Sequence, residues 1–167
     1  MKNEIIISQM SPQDWNDVRE IYIEGIATKN ATFQKDAPSW EQWDLGHIAG
    51  CRIVAKEVNE VVGWAALSPV SSRLVYSGVA EVSLYVNQRC KGKGIGSFLL
   101  KSLIEQSEGS GFWMLQSSIF PENYSSIYIH KKNGFREVGK REKIAKLDEK
   151  WRDVILLERR SNKVGID

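Results

Sequence analysis

The order of elements along this chain predicts an α+β fold. Three observations carry that reading. Two helical patterns come early, a hairpin follows them, and a strand, a glycine-rich turn and a helix then run without a break from Ala80 to Leu100. After Gly111 the order is strand, helix, strand, strand.

Taken in order, Glu4 to Ser8 (EIIIS) reads as a first strand. Ser11-Pro12-Gln13-Asp14 is a helix start, with a serine cap, proline at the first helical position and an acid in the first turn. Trp15, Val18, Ile21, Tyr22 and Ile26 then recur at helical spacing to about residue 27. Thr28 to Phe33 is a polar loop with one large aromatic, and Ser39 opens a second short helix holding Trp40, Trp43 and Ile48. Cys51 to Glu57 and Val61 to Leu67 form the hairpin, turned at Val58-Asn59-Glu60. A loop from Ser68 to Gly78 leads to the strand Ala80 to Val86, and Phe98, Leu99, Leu103 and Ile104 stripe the helix beyond it. Phe112 to Ser117 is the next strand. Asn123 caps a helix with Tyr124, Ile127 and Tyr128 on one side and Gly134 at its end. A strand that begins with Gly134-Phe135-Arg136-Glu137-Val138 and a last one at Trp151 to Glu158 complete the fold, and the run of Lys140, Arg141 and Lys143 around Glu142 is a solvated face.

Length and composition bound the function. A chain of 167 residues fits one domain, 1–167, with a full core. A net charge of +2 is too small for nucleic acid to be the main partner. Cys51 and Cys90 have neither metal-ligand nor disulfide-framework spacing, so no metal is expected and a reducing compartment is. The apolar run in MKNEIIIS is too short for a signal peptide or a membrane span, and the expected location is the cytoplasm.

The central stretch points to an anionic ligand. Glu81, Ser83 and Tyr85 fall on one face of its strand and Val82, Leu84 and Val86 on the other. The turn that follows holds Arg89, Lys91 and Lys93 among Gly92, Gly94 and Gly96, then a helix opens at once. Glycines that let a ligand approach the backbone at a helix N-terminus make a phosphate site. A Walker loop fails because Lys93 is followed by Gly94 rather than Ser or Thr. A dinucleotide fingerprint fails because its third small residue is misplaced and the nearby acids, Glu105 and Glu108, lie in the helix itself. Arg89-x-x-Gly92-x-Gly94 between strand and helix is what remains.

That pattern resembles the acetyl-CoA loop of the GNAT superfamily of N-acetyltransferases, and the likeness covers nearly the whole chain. It is strongest to the phosphinothricin and methionine sulfone acetyltransferase branch. Ala31-Thr32-Phe33, Ala80-Glu81 through Tyr85-Val86, and Lys91 through Gly96 match that branch. So do Asn123 with Ser126, Ile127 and His130, then Asn133-Gly134-Phe135, and the late Trp151-Arg152-Asp153. The resemblance implies three layers, with helices on both faces of a mixed, mostly antiparallel sheet splayed at its central strands. It implies acetyl-CoA as cosubstrate and a homodimer.

The resemblance also assigns roles. Leu84, Tyr85 and Val86 would hold the pantetheine arm as an added strand does. Lys91, Gly92, Lys93, Gly94, Ile95, Gly96 and Ser97 would wrap the pyrophosphate, with Asn123 and Ser126 completing the cofactor site. Glu81 would take the proton of the substrate ammonium, and His130 would protonate the departing thiolate. Arg73 and Tyr76 would meet a carboxylate or phosphinate, with Phe33 as an apolar wall. Gly78 stands where some branch members carry a further cation. His47 reads as structural. The expected reaction is acetyl transfer to a small amino-acid-like amine by direct attack in a ternary complex, since Cys51 and Cys90 lack a positioned His–acid pair. The rival readings are acetylation of a protein N-terminus or lysine, and an idle acyl-CoA sensor.

Overall fold

The computed structural model describes residues 3–167. Its strands are β1 (Ile5–Gln9), β2 (Arg52–Glu57), β3 (Glu60–Pro69), β4 (Val79–Val86), β5 (Met114–Ile119), β6 (Arg136–Leu147) and β7 (Lys150–Arg160). Its helices are α1 (Trp15–Ala27), α2 (Trp40–Gly46), α3 (Ile95–Gly109) and α4 (Tyr124–Lys132). One seven-stranded sheet runs β1-β2-β3-β4-β5-β7-β6. Only the β4–β5 pair is parallel; the other five are antiparallel. The α+β expectation holds, and helices cover both faces.

Each face has its own core. Trp43, Val54, Trp64 and Ala66 pack with Val18 and Ile21 under α1 and α2. Ile53, Ala55, Ala65, Leu67 and Leu115 pack with Leu99, Leu100 and Leu103 of α3 on the other face. Strand alternation sends successive residues to opposite cores, which is why β3 is buried from Val61 to Leu67. No helix among the described residues is long and apolar enough to cross a membrane.

Several local expectations shift. A 3₁₀ turn over Pro12–Asp14 precedes α1, with the Asp14 carboxylate accepting from the Ser11 N–H at 2.9 Å. Ile48 lies beyond α2, where its N–H donates to Leu67 O at 2.8 Å. On α3, Phe98 is 45% exposed and Leu100 takes the buried place expected of it. Tyr124 and Tyr128 turn to solvent on α4, while Ile127 and Ile129 face the core. β6 runs on to Leu147, and its register against β7 is broken near Glu137–Gly139 and Arg141–Ala145. Those irregularities hide its alternation. The basic run on β6 is exposed, as a solvated face should be.

Candidate active site

Strand β4 treats its two neighbours differently. It pairs with β3 along nearly its whole length, from Pro69↔Ala80 to Gly63↔Val86. Toward β5 it pairs only at Val79↔Met114, Ala80↔Leu115 and Glu81↔Gln116. Beyond that point β5 follows β7, with Ser117↔Leu157 and Ile119↔Ile155. From Val82 onward the β5 side of β4 has no strand partner among the described residues, so the sheet forks. A cleft of about 420 Å³ opens at the fork.

The cleft passes between the strands and is lined from both faces. Glu81, Ser83 and Tyr85 come from the α1–α2 face, and Val82, Leu84 and Ser117 from the α3–α4 face. Glu81 is the only formally charged side chain lining it among the described residues. Its Oε2 accepts from Gln116 Nε2 at 3.0 Å, a bond that the last parallel pair sets up.

His130 is 2% exposed and reaches the cleft wall from α4. Its Nδ1 lies 2.7 Å from Ser126 O, and a carbonyl only accepts, so this nitrogen carries the hydrogen. Its Nε2 then accepts from the Ser117 hydroxyl at 2.9 Å. Burial pushes the His130 pKa below the ordinary imidazole value, which the Ser126 carbonyl only partly offsets.

Phe33 lines the cleft and meets Phe120 edge-on, with ring centroids 4.9 Å apart. Arg152 holds this wall in place. Its guanidinium lies 4.0 Å from the Phe120 ring centroid and donates to Lys29 O at 2.8 Å and to Asn30 Oδ1 at 3.4 Å. Asn123 caps α4 through Ser126 N–H and donates to Asn30 O at 3.2 Å, so it ties the same loop down. Ser126 also lines the cleft. The Tyr85 ring stacks on Trp64 at 4.9 Å, and burial drives its phenol pKa far above the ordinary value. The tyrosine side chain therefore belongs to the core while its backbone faces the fork.

Past β4 the chain reaches the glycine turn. Gly92 and Gly94 adopt φ of 79° and 82°, the left-handed region that glycine enters without strain. A Cβ at either would meet nothing within 4 Å, so the surface there is open. Among the described residues no side chain caps α3 at Gly94, and the start of the helix lies beside the exposed Lys91 and Lys93. Gly96 differs: a Cβ there would lie 3.1 Å from Ile129 Cδ1, so this glycine serves helix packing. Ile95 is buried in the core, Val86 packs against the α3 core, and Ser97 Oγ accepts from Asn133 Nδ2 at 3.1 Å. An open, uncapped helix start beside an unpaired strand edge fits a ligand with an amide arm and a diphosphate.

Arg73 and Tyr76 are brought together, but away from the cleft. The chain leaves the sheet after Pro69 and makes a 3₁₀ turn over Leu74–Tyr76, where the Arg73 guanidinium stacks 5.3 Å from the Tyr76 ring centroid. Neither lines the cleft. Sequence reasoning set His47 aside as structural and passed over Gln116, Ser117 and Phe120, all on or beside it. Gln116 and Ser117 lie on opposite faces of one strand, and only the fork makes both relevant. Among the described residues no group of three His, Cys, Asp or Glu side chains is arranged to hold a metal.

Comparison with known proteins accounts for this architecture. A Bacillus subtilis protein, YwnH, provisionally named a phosphinothricin acetyltransferase, is 32% identical over 88% of this chain and 93% of its own. An L-methionine sulfoximine/L-methionine sulfone acetyltransferase of Pseudomonas paraeruginosa is 27% identical over 64% of this chain and 62% of its own. Among solved structures, a phosphinothricin acetyltransferase of Sinorhizobium meliloti in complex with acetyl-CoA superposes with a TM-score of 0.87. It is 26% identical, covering 98% of this chain and 91% of its own. The model of the acetyltransferase (GNAT) family matches residues 15–135, a span that runs from the first residue of α1 through the forked strands to Phe135. The chain belongs to the acetyltransferase (GNAT) family and is an N-acetyltransferase.

Proposed function

We propose that the protein transfers the acetyl group of acetyl-CoA to the amine of a small amino-acid-like substrate, of the kind represented by phosphinothricin or methionine sulfone. One observation carries the reading: β4 has a free edge beyond Glu81, ending in an open glycine turn at an uncapped helix start. The free edge suits the amide arm of the cosubstrate, and the turn suits its pyrophosphate. Lys91, Gly92, Lys93, Gly94 and Ser97 are the proposed contacts there, with Leu84, Tyr85 and Val86 along the strand. Acetyl-CoA supplies an activated thioester carbonyl; this chain orients it and handles protons.

In this reading the amine attacks the thioester directly. Glu81 accepts the ammonium proton, as the one formally charged side chain on the cleft among the described residues. The Leu84 N–H is the proposed donor to the carbonyl oxygen as charge gathers on it. His130 is the proposed proton source for the thiolate: Nε2, once it has taken up a proton from solvent, donates to the Ser117 oxygen while the Ser117 hydroxyl hydrogen passes to the sulfur, and the ring returns to its neutral form. Phe33 bounds the substrate side group. Arg73 and Tyr76 are left out of the single-chain site because their loop lies outside the cleft.

Residues 1–167 are read as one acetyltransferase domain, supported by a single sheet that takes in every strand from β1 to β7. Free, buried thiols at Cys51 and Cys90 support a cytoplasmic setting. A homodimer is supported by the exposed apolar run Val70, Leu74, Val75 and Tyr76.

The test is CoA release with acetyl-CoA and a panel of amines that includes phosphinothricin, methionine sulfone, ordinary amino acids and a short peptide. Turnover of the amino acids with an inert peptide is expected. Turnover of the peptide alone would move the function to protein acetylation. Acetyl-CoA binding without turnover of any amine would make the protein a sensor.

A further inference from the structure

The cleft holds a second titratable group on the Glu81 side. His47 follows the last turn of α2 and lines the cleft. Its position relative to Glu81 is set by backbone pairing. Ile48 N–H donates to Leu67 O at 2.8 Å, and the next residue of β3, Ser68, pairs with Glu81. Beneath His47, Trp43 packs edge-on to Trp64, on the same face of the sheet that carries Glu81.

The imidazole is held rigidly and in one tautomer. It stacks on Trp43 with centroids 4.0 Å apart and an interplanar angle of 16°. Its Nδ1 lies 2.7 Å from Trp43 O, and a carbonyl can only accept, so Nδ1 carries the hydrogen. Arg52, 7% exposed, locks the turn by donating to Asp44 O and His47 O, each at 2.8 Å, and to Ile48 O at 3.3 Å. Burial, aided by the Arg52 charge, pulls the His47 pKa below the ordinary imidazole value and keeps the ring neutral, against a smaller opposing effect of the Trp43 carbonyl. Nε2 is then a bare acceptor, with no protein partner among the described residues.

We propose that His47 Nε2 is a second acceptor for the substrate ammonium, so that the incoming amine is held between the Glu81 carboxylate and the His47 imidazole. This rests on the acetyltransferase reading above. An ammonium has several N–H bonds. Glu81 takes one proton, while His47 accepts a hydrogen bond from another N–H and remains neutral throughout. The second bond fixes the direction in which the freed lone pair points. A cleft with one carboxylate, a neutral imidazole acceptor and, among the described residues, no lining Lys or Arg selects a cationic nitrogen.

The test is steady-state kinetics with acetyl-CoA and methionine sulfone as the probe amine. His47→Phe keeps a ring against Trp43 and deletes the acceptor. Its KM for methionine sulfone should rise about tenfold, the worth of one hydrogen bond to a charged group. The KM for acetyl-CoA should stay at its wild-type value and the melting temperature should fall by a few degrees at most, from the lost Nδ1–H bond to Trp43 O; a merely structural role would move the melting temperature and leave the KM for the amine alone. His47→Gln, which restores an acceptor oxygen, should recover part of the loss. A His47→Phe enzyme with the wild-type KM for the amine overturns the role of His47 and leaves the acetyltransferase reading standing. A wild-type protein inert toward every amine in the panel overturns both.

Discussion

Glu81 and His130 line one cleft from opposite faces of the same sheet. Glu81 hangs with Ser83 and Tyr85 on the α1–α2 face, while His130 reaches the cleft from α4 across the buried Ser117 hydroxyl. The two share a space only because β4 and β5 part immediately after Glu81↔Gln116. The fork thus divides the proposed chemistry, with amine deprotonation on one side of the sheet and thiolate protonation on the other.

Glu81→Gln tests the first half. Glutamine keeps the shape and can still bond to Gln116, so the fold should be preserved while the proton acceptor is lost. We expect kcat to fall at least about 10²-fold, the lower end of general-base contributions, with acetyl-CoA affinity unchanged by equilibrium titration. An undiminished kcat at neutral pH removes Glu81 from the base role.

Ser117→Ala tests the second half. Among the described residues the hydrogen-bond partner of His130 Nε2 is this hydroxyl, which lines the cleft with it. Removing it should cost about 1–2 kcal/mol of stability by stranding a buried acceptor. It should also lower kcat about tenfold with both KM values near wild type. If only the melting temperature moves, the Ser117–His130 pair is structural.

How much of this was legible from residues alone follows from what each feature depends on. The glycine turn was legible because its chemistry is contiguous: Gly92, Gly94, Lys91 and Lys93 lie within four residues of one another. Phe33, Glu81, Asn123, Ser126 and His130 were legible because they sit in motifs, and all five line the cleft. His47 and Ser117 were not. Their relevance comes from Ile48 N–H docking on Leu67 O and from the fork, two long-range pairings that no local pattern encodes. Arg73 and Tyr76 are brought together but lie off the cleft. Their spacing from Glu81 suits a substrate loop, but the turn at Leu74–Tyr76 lets Arg73 satisfy itself on the Tyr76 ring. The reach of β6 was hidden because its exposed residues and broken register erase alternation.

Gly94→Ala separates the two glycine roles. At φ 82° an alanine strains the backbone by about 1–2 kcal/mol although nothing crowds its Cβ. The open surface it would occupy is the proposed pyrophosphate seat, so the KM for acetyl-CoA should rise about tenfold or more while that for the amine does not. Gly96→Ala should behave otherwise: its Cβ presses on Ile129, which lowers the melting temperature before it alters the cosubstrate KM. Equal KM values for acetyl-CoA in wild type and Gly94→Ala place the pyrophosphate elsewhere.

Acid lability should come in two windows whose order follows from the buried groups. Burial alone would raise the Glu108 carboxyl, but Arg159 and Ser161, each 2.9 Å away, together with Lys163 hold it below its ordinary value of 4.5. Burial would likewise raise Asp14, yet the Ser11 N–H and the Lys56 ammonium, each at 2.9 Å, hold it low. For both, the folded state binds its proton later than the unfolded chain, so their stabilisation is complete above the ordinary carboxylate range and is lost as pH falls through the folded values. His47 and His130, depressed from 6.5 mainly by burial, act earlier: the unfolded chain takes up those protons first, so stability begins to decline as pH drops below about that value. Melting temperature against pH should therefore fall in a shallow step near neutrality and a steeper one in the carboxylate range. Glu108→Gln should lower stability at pH 7 by about 2 kcal/mol, since it replaces a charged acceptor whose side chain is 8% exposed. It should also flatten the lower step and leave the upper one in place. A variant whose curve runs parallel to wild type at every pH would show that Glu108 titrates no differently in the folded and unfolded states.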